Sequence, residues 1–379
     1  MFKVGVDAHN LEADRAGVGR YLQNILYEFS RMPELRSGAR FVLYFKKDIP
    51  TDIFLRNPLF ELRSLRTPIR SSFLFYFLFL LPIVAWRDKV DILWFPGYMV
   101  PYTWRGRAVL TLHDPSYERE PKSVSMRYYI PYRLFGRYGV KHSIKVLTVS
   151  EFSKNEIIDI YKCNSEKVVV TPLAANEMFR VVEDEAALRA VKEKYGINDK
   201  FVMFAGQIFN RRHVVEALLA YAKIARDFSD VQFLLLGPDR TKPKPIVNEI
   251  ARRINERLGR KAVVRGSFAP LDDMVLLDNA AEATFYMSDY EGFGLPPLES
   301  LACGTPVLAL NTTALATTLG GNQIVVENPK DINEIAGKLR NILTDTEYRK
   351  QVRKSGPKWA SQFSWKRAAE DTLKTLFHT

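Results

Sequence analysis

Glu291 and Glu299 stand eight positions apart in the run Glu291-Gly292-Phe293-Gly294-Leu295-Pro296-Pro297-Leu298-Glu299, with two glycines and two prolines between them. Paired carboxylates accept hydrogen bonds from ligand hydroxyls and repel a bare phosphate. The apolar run Ala283-Thr284-Phe285-Tyr286-Met287 just before has the length of a buried parallel strand. The run Leu298 to Cys303 suits a short helix, and prolines are tolerated at its start because first-turn N–H groups have no intrahelical partner. A strand, a glycine turn and a helix N-terminus together favour an anionic ligand. A ligand with both phosphate and hydroxyls, a nucleotide sugar, satisfies both halves of the pattern. Simple helix capping by the two Glu residues is the plainer alternative, and it leaves the Gly-Phe-Gly and the second carboxylate unexplained.

Three further clusters carry chemistry. Gly17-Val18-Gly19 follows the first strand and leads into a helix from Arg20, where glycine lets backbone N–H groups approach a phosphate, although a plain turn reads the same way. His113-Asp114-Pro115 ends the strand Val109–Leu112, and C-terminal strand ends form the ligand crevice of doubly wound sheets. A hydrogen-bonded structural histidine is the alternative there. Gly206-Gln207-Ile208-Phe209-Asn210-Arg211-Arg212-His213 follows the first strand of the second half, and its two guanidinium groups suit a bidentate grip on phosphate. A solvated pair at a helix start is the bland reading.

The elements that must position these residues alternate between strand-like and helical runs, which predicts parallel α/β architecture. Strands are predicted at Phe2–Asp7, Arg40–Phe45, Ile92–Phe95, Ala108–Leu112 and Val146–Val149, with helices at Arg20–Arg31 and Phe152–Tyr161. A second set has strands at Phe201–Phe204, Gln232–Leu236, Val263–Arg265, Ala283–Met287 and Val307–Leu310. Its helices are predicted at Val214–Asp227, Ile246–Leu258, Asp272–Asn279 and Asp331–Leu343. The break between the halves falls within Thr171–Ala190, where Pro172 and a charged stretch interrupt the pattern. Ser364 is placed to cap a last helix within Phe363–Phe377.

A chain of 379 residues is long enough for two full cores. Cys163 and Cys303 have no metal or redox spacing and read as buried thiols in a reducing compartment. The start is strand-like and no long apolar stretch follows, so a cytoplasmic protein is expected. The net charge of +12 is uneven: residues 1–175 hold 26 Lys+Arg against 17 Asp+Glu, and the remainder 29 against 26. Arg63, Arg66, Arg70, Arg105, Arg107, Arg119, Arg127, Arg133 and Arg137 lie in the basic half. Nucleic acid, anionic lipid or a phosphorylated acceptor could meet it, and the lack of any zinc-knuckle or RNA-recognition signature makes nucleic acid the weakest of these. The aromatic run from Phe73 to Trp86 is too short to span a membrane; it reads as a buried helix or, beside Arg63, Arg66, Arg70 and Arg87, as a membrane-surface patch.

The stretch from Glu291 through Glu299-Ser-Leu-Ala-Cys-Gly304-Thr-Pro306 resembles, nearly residue for residue, the E-x7-E signature of the retaining glycosyltransferases of family 4, or glycosyl transferases group 1. The resemblance implies the GT-B fold, two facing Rossmann-like doubly wound parallel-sheet domains. Residues 1–175 would bind the acceptor and 176–362 the nucleotide sugar, with 363–379 crossing back to the first domain. It implies that Glu291 contacts the transferred sugar and Glu299 the donor ribose, with Gly292, Phe293, Gly294 and Leu295 lining the donor. Gly17-Val18-Gly19-Arg20-Tyr21 is similar to the family's glycine-rich loop, and His113 to its site histidine, which contacts the sugar and supports developing charge. Gly206, Gln207, Arg211 and Arg212 fall in the family's diphosphate loop. Gln207 departs from the usual Arg or Thr, and Arg212 stands where Lys is usual. Gly266, Ser267 and Phe268 lie where the family lines the nucleobase, and Ser150 where a serine ends a strand at the cleft; Ser150 is equally a sound helix N-cap.

The activity so implied moves a hexose from a nucleoside-diphosphate sugar, of the GDP-mannose or UDP-glucose type, to a hydroxyl of a glycan or lipid-linked acceptor. The anomeric configuration is retained by a front-face route in which the departing phosphate helps deprotonate the acceptor. No Asp-x-Asp triplet occurs, so neither metal nor cofactor is expected. The same architecture also admits a nucleotide-sugar epimerase, a phosphorylase, or a non-catalytic nucleotide-sugar-binding module. A nicotinamide dehydrogenase is excluded, because no Gly-x-Gly-x-x-Gly follows the first strand.

Overall fold

A computed structural model of the chain describes residues 1–12, 17–66, 73–121, 125–198 and 200–378; Arg70 lies outside them. The chain forms two compact units, Met1–Leu173 with Ser364–Thr379, and Ala174–Phe363.

The first unit holds a seven-stranded sheet in the order β3-β2-β1-β4-β5-β6-β7. Its strands are β1 (Phe2–Asp7), β2 (Ala39–Phe45), β3 (Phe60–Ser64), β4 (Ile92–Phe95), β5 (Ala108–Thr111), β6 (Lys145–Thr148) and β7 (Val168–Val170). Every pairing is parallel. The second unit holds six strands in the order β10-β9-β8-β11-β12-β13, again all parallel. These are β8 (Lys200–Ala205), β9 (Val231–Leu236), β10 (Val263–Gly266), β11 (Ala283–Tyr286), β12 (Val307–Leu310) and β13 (Ile324–Val326).

Helices on the sheet faces explain the near-continuous apolar strands. β9 is buried along its whole length. Its one polar residue, Gln232, is bonded at both ends of its amide: the oxygen accepts from the Asn198 N–H and the nitrogen donates to the Lys261 carbonyl at 2.6 Å. A buried amide so paired costs little; left unpaired it would cost about 1–3 kcal/mol.

The terminal helix Trp365–Phe377 belongs to the first unit. The Ser364 hydroxyl accepts from the Arg367 N–H at 3.4 Å, and Phe377 packs on Phe2 of β1 with ring centroids 4.9 Å apart. Helices Met126–His142 and Glu185–Tyr195 were not predicted from the sequence. Helix Glu185–Tyr195 occupies part of the stretch read as a break; Asp184 caps it by accepting from Ala186 and Ala187 at 3.0 Å each, and left-handed Gly196 ends it. Helix Met126–His142 contains Pro131, whose presence hid its periodicity. The strands β3, β7 and β13 were also missed, being short and at or near the sheet edges.

The aromatic run is helical from Phe73 to Arg87, widened over Tyr76–Leu80, where the Leu81 N–H bonds to the Tyr76 carbonyl five residues back. The widened turn directly precedes Pro82, which has no N–H to give and would clash in a regular turn. The buried-helix reading holds for one face only: Tyr76, Phe77, Leu81 and Ala85 are buried, while Phe79, Ile83 and Trp86 are exposed. Both cysteines are free thiols; Cys303 is buried, whereas Cys163, just past the helix Glu151–Tyr161, is only half-buried.

Candidate active site

In the second unit the strand order reverses between β8 and β11, and a crevice opens outside the carboxyl ends of such strands. β8 gives way to Gly206 at φ 138°, where a Cβ would lie 2.9 Å from Arg212 Nη1. Next to it, Gly237 follows β9 at φ 116°, and a Cβ there would lie 1.9 Å from the Gly206 carbonyl oxygen. Gly266 ends β10, with its missing Cβ 2.6 Å from Leu236 Cδ2. Three adjacent strands therefore end in bare backbone. The sequence reading found Gly206 and Gly266; Gly237 was missed, although Leu234-Leu235-Leu236-Gly237-Pro238 is a strand stop of the same kind.

Beyond Gly206 the chain makes one tight turn at Asn210–Arg212, then left-handed His213 starts the helix Val214–Ile224. This turn presents both arginines to the loop after β11. Arg211 Nη1 donates to Ser288 Oγ at 2.8 Å, to the Tyr290 carbonyl, and to Glu291 Oε1 at 3.1 Å. Arg212 Nη2 donates to the same Glu291 oxygen at 3.1 Å, and Nη1 to the Gln207 carbonyl at 3.0 Å. Its guanidinium lies over the Tyr286 ring, 5.2 Å from the centroid. Burial pushes the Glu291 carboxyl up, but the charges of Arg212 and Arg211 outweigh it and hold it below the usual carboxylate range. Two cations thus share one carboxylate, so these three side chains together carry one positive charge.

The helix after this loop, Leu295–Ala302, starts from Gly294 at φ 92°, where a Cβ would meet Leu315 Cδ2 at 2.4 Å. Pro296 and Pro297 occupy its first turn and carry no N–H. The helix end therefore offers fewer N–H donors than the anion-site reading assumed. Phe293 is buried edge-on against Phe363, 5.5 Å between centroids, so only backbone is available to a ligand there. Gly292 is buried and Leu295 half-buried. Glu299 is buried one turn on, beside Asp278, whose carboxyl burial pushes up to about 8, with the Ser300 hydroxyl opposing and Glu299 adding to the rise. Ser267 and Phe268 project from the end of β10, and the Phe268 ring is 77% exposed.

The first unit reverses between β1 and β4. His113, just past β5, is buried between Tyr21 and Tyr98, at 4.8 and 5.7 Å between ring centroids. Burial lowers its pKa to about 4, so the ring is neutral near pH 7. Nε2 lies 3.1 Å from the Pro96 carbonyl and must carry the proton there, which leaves Nδ1 as an acceptor. Sequence reasoning missed the group at the end of β1, where Asp7 accepts from Tyr76 Oη at 2.8 Å and from His9 Nδ1 at 2.7 Å. An aspartate ending the first strand, two residues before a histidine, was the available signal. Gly17, Val18 and Gly19 form the first turn of the helix Gly17–Ser30 rather than a loop before Arg20, and a Cβ on Gly17 would meet nothing within 4 Å. The Ser150 hydroxyl accepts from the Ser153 N–H at 3.0 Å and caps the helix Glu151–Tyr161.

The profile of the family described as Glycosyltransferase Family 4 matches residues 16–176, and that of Glycosyl transferases group 1 matches residues 189–359. The chain belongs to the family 4 glycosyltransferases. This glycosyltransferase is 29% identical over 299 residues to the O-antigen chain mannosyltransferase B of Escherichia coli, covering 76% of this chain and 75% of the relative. It is 25% identical over 225 residues to the serotype-specific mannosyltransferase WbdA of Escherichia coli, 59% of this chain but only 27% of that longer protein. Its fold is shared with WaaG, a glycosyltransferase involved in lipopolysaccharide biosynthesis, at a TM-score of 0.74, 17% identity and full coverage of both chains. Anabaena HepE in complex with UDP and glucose superimposes at 0.73, with 18% identity and 99% of each chain covered. The fold is GT-B.

Of the residues singled out in the sequence, the structure of this glycosyltransferase gathers Gly206, Gln207, Arg211, Arg212 and Glu291 at one switch point. Gln207 takes part through its carbonyl, its side chain being exposed. Gly266, Ser267 and Phe268 lie on the same sheet edge two strands away. His113, Ser150 and Gly17–Gly19 belong to the other unit. Among the described residues, no three His, Cys, Asp or Glu side chains group as a metal site would require.

Proposed function

We propose that this glycosyltransferase moves mannose from a nucleoside-diphosphate sugar to a hydroxyl of a glycan or lipid-linked acceptor in polysaccharide synthesis, with retention at the anomeric carbon and without a metal. Mannose is the sugar named for both Escherichia coli relatives, and a GDP-mannose-type donor is our first choice. UDP-glucose is the other candidate, given the ligands of the HepE structure.

One observation carries the reading. Arg211 and Arg212 both bond the same oxygen of Glu291 at 3.1 Å at the β8/β11 switch point. A donor entering there replaces that internal pairing: the diphosphate takes guanidinium hydrogens, and Glu291 is released to accept from a sugar hydroxyl. The arginines then stabilise the charge that grows on the leaving diphosphate, the task a metal performs elsewhere. Glu299 holds the ribose hydroxyls, and Phe268 covers the base. The bond from the anomeric carbon to the phosphate oxygen breaks as the acceptor oxygen bonds on the same face. The acceptor's proton passes to the departing phosphate. In the first unit, neutral His113 offers Nδ1 as an acceptor to a substrate hydroxyl. The first unit supplies the acceptor side, and a lipid-linked acceptor would bring the chain to the inner membrane surface from the cytoplasm.

The test is calorimetric titration with GDP, GDP-mannose, UDP and UDP-glucose, followed by transfer assays with the donor that binds and NMR of the product's anomeric configuration. Binding of one nucleotide sugar that falls at least tenfold in Arg212→Ala is expected. Binding of none of the four, or an inverted product, would sink the proposal.

A further inference from the structure

A groove of about 1140 Å³ in the first unit is lined by none of the candidate-site residues. One wall is the exposed face of the helical segment Phe73–Arg87, on which Phe79, Ile83 and Trp86 recur at helical spacing and are 49%, 47% and 76% exposed. Trp104 forms part of the opposite wall, and its ring packs against Gly106. Single exposed apolar side chains need no explanation, but three on one helix face beside a groove do.

The rim is basic. Arg87, Lys89, Arg105 and Arg107 all line the groove and are exposed. None of the four side chains makes an ion pair or hydrogen bond among the described residues. The lining holds one acid, Asp91, whose Oδ2 accepts from the Lys3 N–H at 2.7 Å. An apolar trough edged by four unneutralised cations matches one chemistry, an acyl layer beneath a sheet of phosphates. A protein partner would need both an apolar ridge and several carboxylates in register; a bilayer supplies the combination everywhere.

The groove's place in the fold separates it from catalysis. Its lining runs into Asp91 and Arg107, the residues just before β4 and β5, so it opens at the amino ends of the strands. Asp7 and His113 stand at the carboxyl ends of β1 and β5. The groove is therefore no part of an acceptor site at that crevice. No helix among the described residues is long and apolar enough to cross a membrane, so this contact is made from the surface.

We propose that this groove docks the protein on an anionic lipid bilayer, with Trp86, Phe79 and Ile83 entering the acyl boundary and Arg87, Lys89, Arg105 and Arg107 binding lipid phosphates. The inference does not depend on which sugar is transferred, or on transfer at all.

The experiment is co-sedimentation of the full chain with vesicles of 3:1 phosphatidylcholine and phosphatidylglycerol, and with pure phosphatidylcholine, at low and high salt. Trp86 fluorescence with brominated lipid serves as a depth reporter. Expected are preferential binding to the anionic vesicles that weakens with salt, and tryptophan quenching that falls in Trp86→Phe. A roughly tenfold or greater loss of partitioning is expected in Arg105→Glu/Arg107→Glu. Free inorganic phosphate at millimolar concentration should compete only as any salt does. These surface changes should leave the melting temperature and nucleotide-sugar binding unchanged. Equal binding to neutral vesicles, undiminished binding of the double variant, or absence of vesicle binding by the folded chain would overturn the proposal, the last assigning the groove to a protein partner.

Discussion

His213 and Asp289 join the two loops of the candidate site, with Nε2 2.8 Å from the Asp289 carboxylate. A second tie runs beside it, the Asp289 N–H donating to the Arg211 carbonyl at 2.9 Å. His213 holds a left-handed conformation, φ 48°, which costs less for His, Asn or Gly than for other residues. The residue that closes the turn thus also fixes the spacing between the arginines and Glu291.

That relationship is pH-sensitive. Burial lowers the His213 pKa, but Asp289, and Glu216 at 3.6 Å from Nδ1, outweigh it and raise the value to about 9. A histidine raised on folding stabilises fully below its unfolded value near 6.5, and the contribution is lost as pH climbs through 9. Asp289 is partly open to water, so about 1 kcal/mol is the expected size. Urea unfolding of the native chain should show that loss between pH 7 and 10, and Asp289→Asn should flatten the curve. His213→Gly keeps the backbone relaxed but removes the tie, and should weaken donor binding severalfold. Wild-type affinity in both variants would reduce His213 to a turn residue.

The shared carboxylate oxygen makes Glu291 and the arginines interdependent. Removing Arg212 leaves Glu291 with Arg211 alone, and the Gln207 carbonyl without its donor. Arg212→Ala should weaken nucleoside-diphosphate binding by roughly ten- to a hundredfold, in line with about 1.5–3 kcal/mol for a hydrogen bond to a charged group. Arg212→Lys retains charge but not the fork, and should recover part of that loss. Glu291→Gln should reduce turnover far more than nucleotide binding. Calorimetry against the nucleoside diphosphate alone, set beside transfer rates, separates the two effects.

Neutral His113 predicts a featureless region in the pH profile. Its pKa is lowered by burial to about 4, with the Pro96 carbonyl opposing only partly. A histidine depressed on folding contributes stability above its unfolded value near 6.5, and that is lost as pH falls toward 4. No activity step from His113 is therefore expected between pH 5 and 8, and NMR titration of the ring should find it still neutral at pH 5.5. A midpoint near 6.5 would mean that the ring is not enclosed as described.

Phe268 tests the nucleobase assignment with little structural penalty. Its ring is exposed at the end of β10, so Phe268→Ala should hardly move the melting temperature. Stacking on a base is worth about 1–3 kcal/mol, so nucleotide affinity should drop at least fivefold. The sugar's contribution, read as the affinity ratio of nucleotide sugar to nucleotide, should stay constant. An unchanged nucleotide affinity would move the base elsewhere.

The amino-acid sequence by itself determined the α/β class and the division into two halves, and it singled out Glu291, Arg211 and Arg212. Strands buried on both faces leave apolar runs, and glycine-rich strand ends leave punctuation, so both survive in one dimension. Short strands such as β7 and β13 did not, because three residues carry no period. Only the tertiary structure decided that both arginines meet one oxygen of Glu291, some 80 positions away, since strand order places β8 beside β11. It alone assigned the Ser150 hydroxyl to a cap, buried the Phe293 ring, and brought His9 and Tyr76 to Asp7. The aromatic run shows the limit most plainly. Composition marked Phe73–Trp86 as apolar, but which ring is buried and which meets water depends on what packs against the helix, and that is a property of contacts between distant residues.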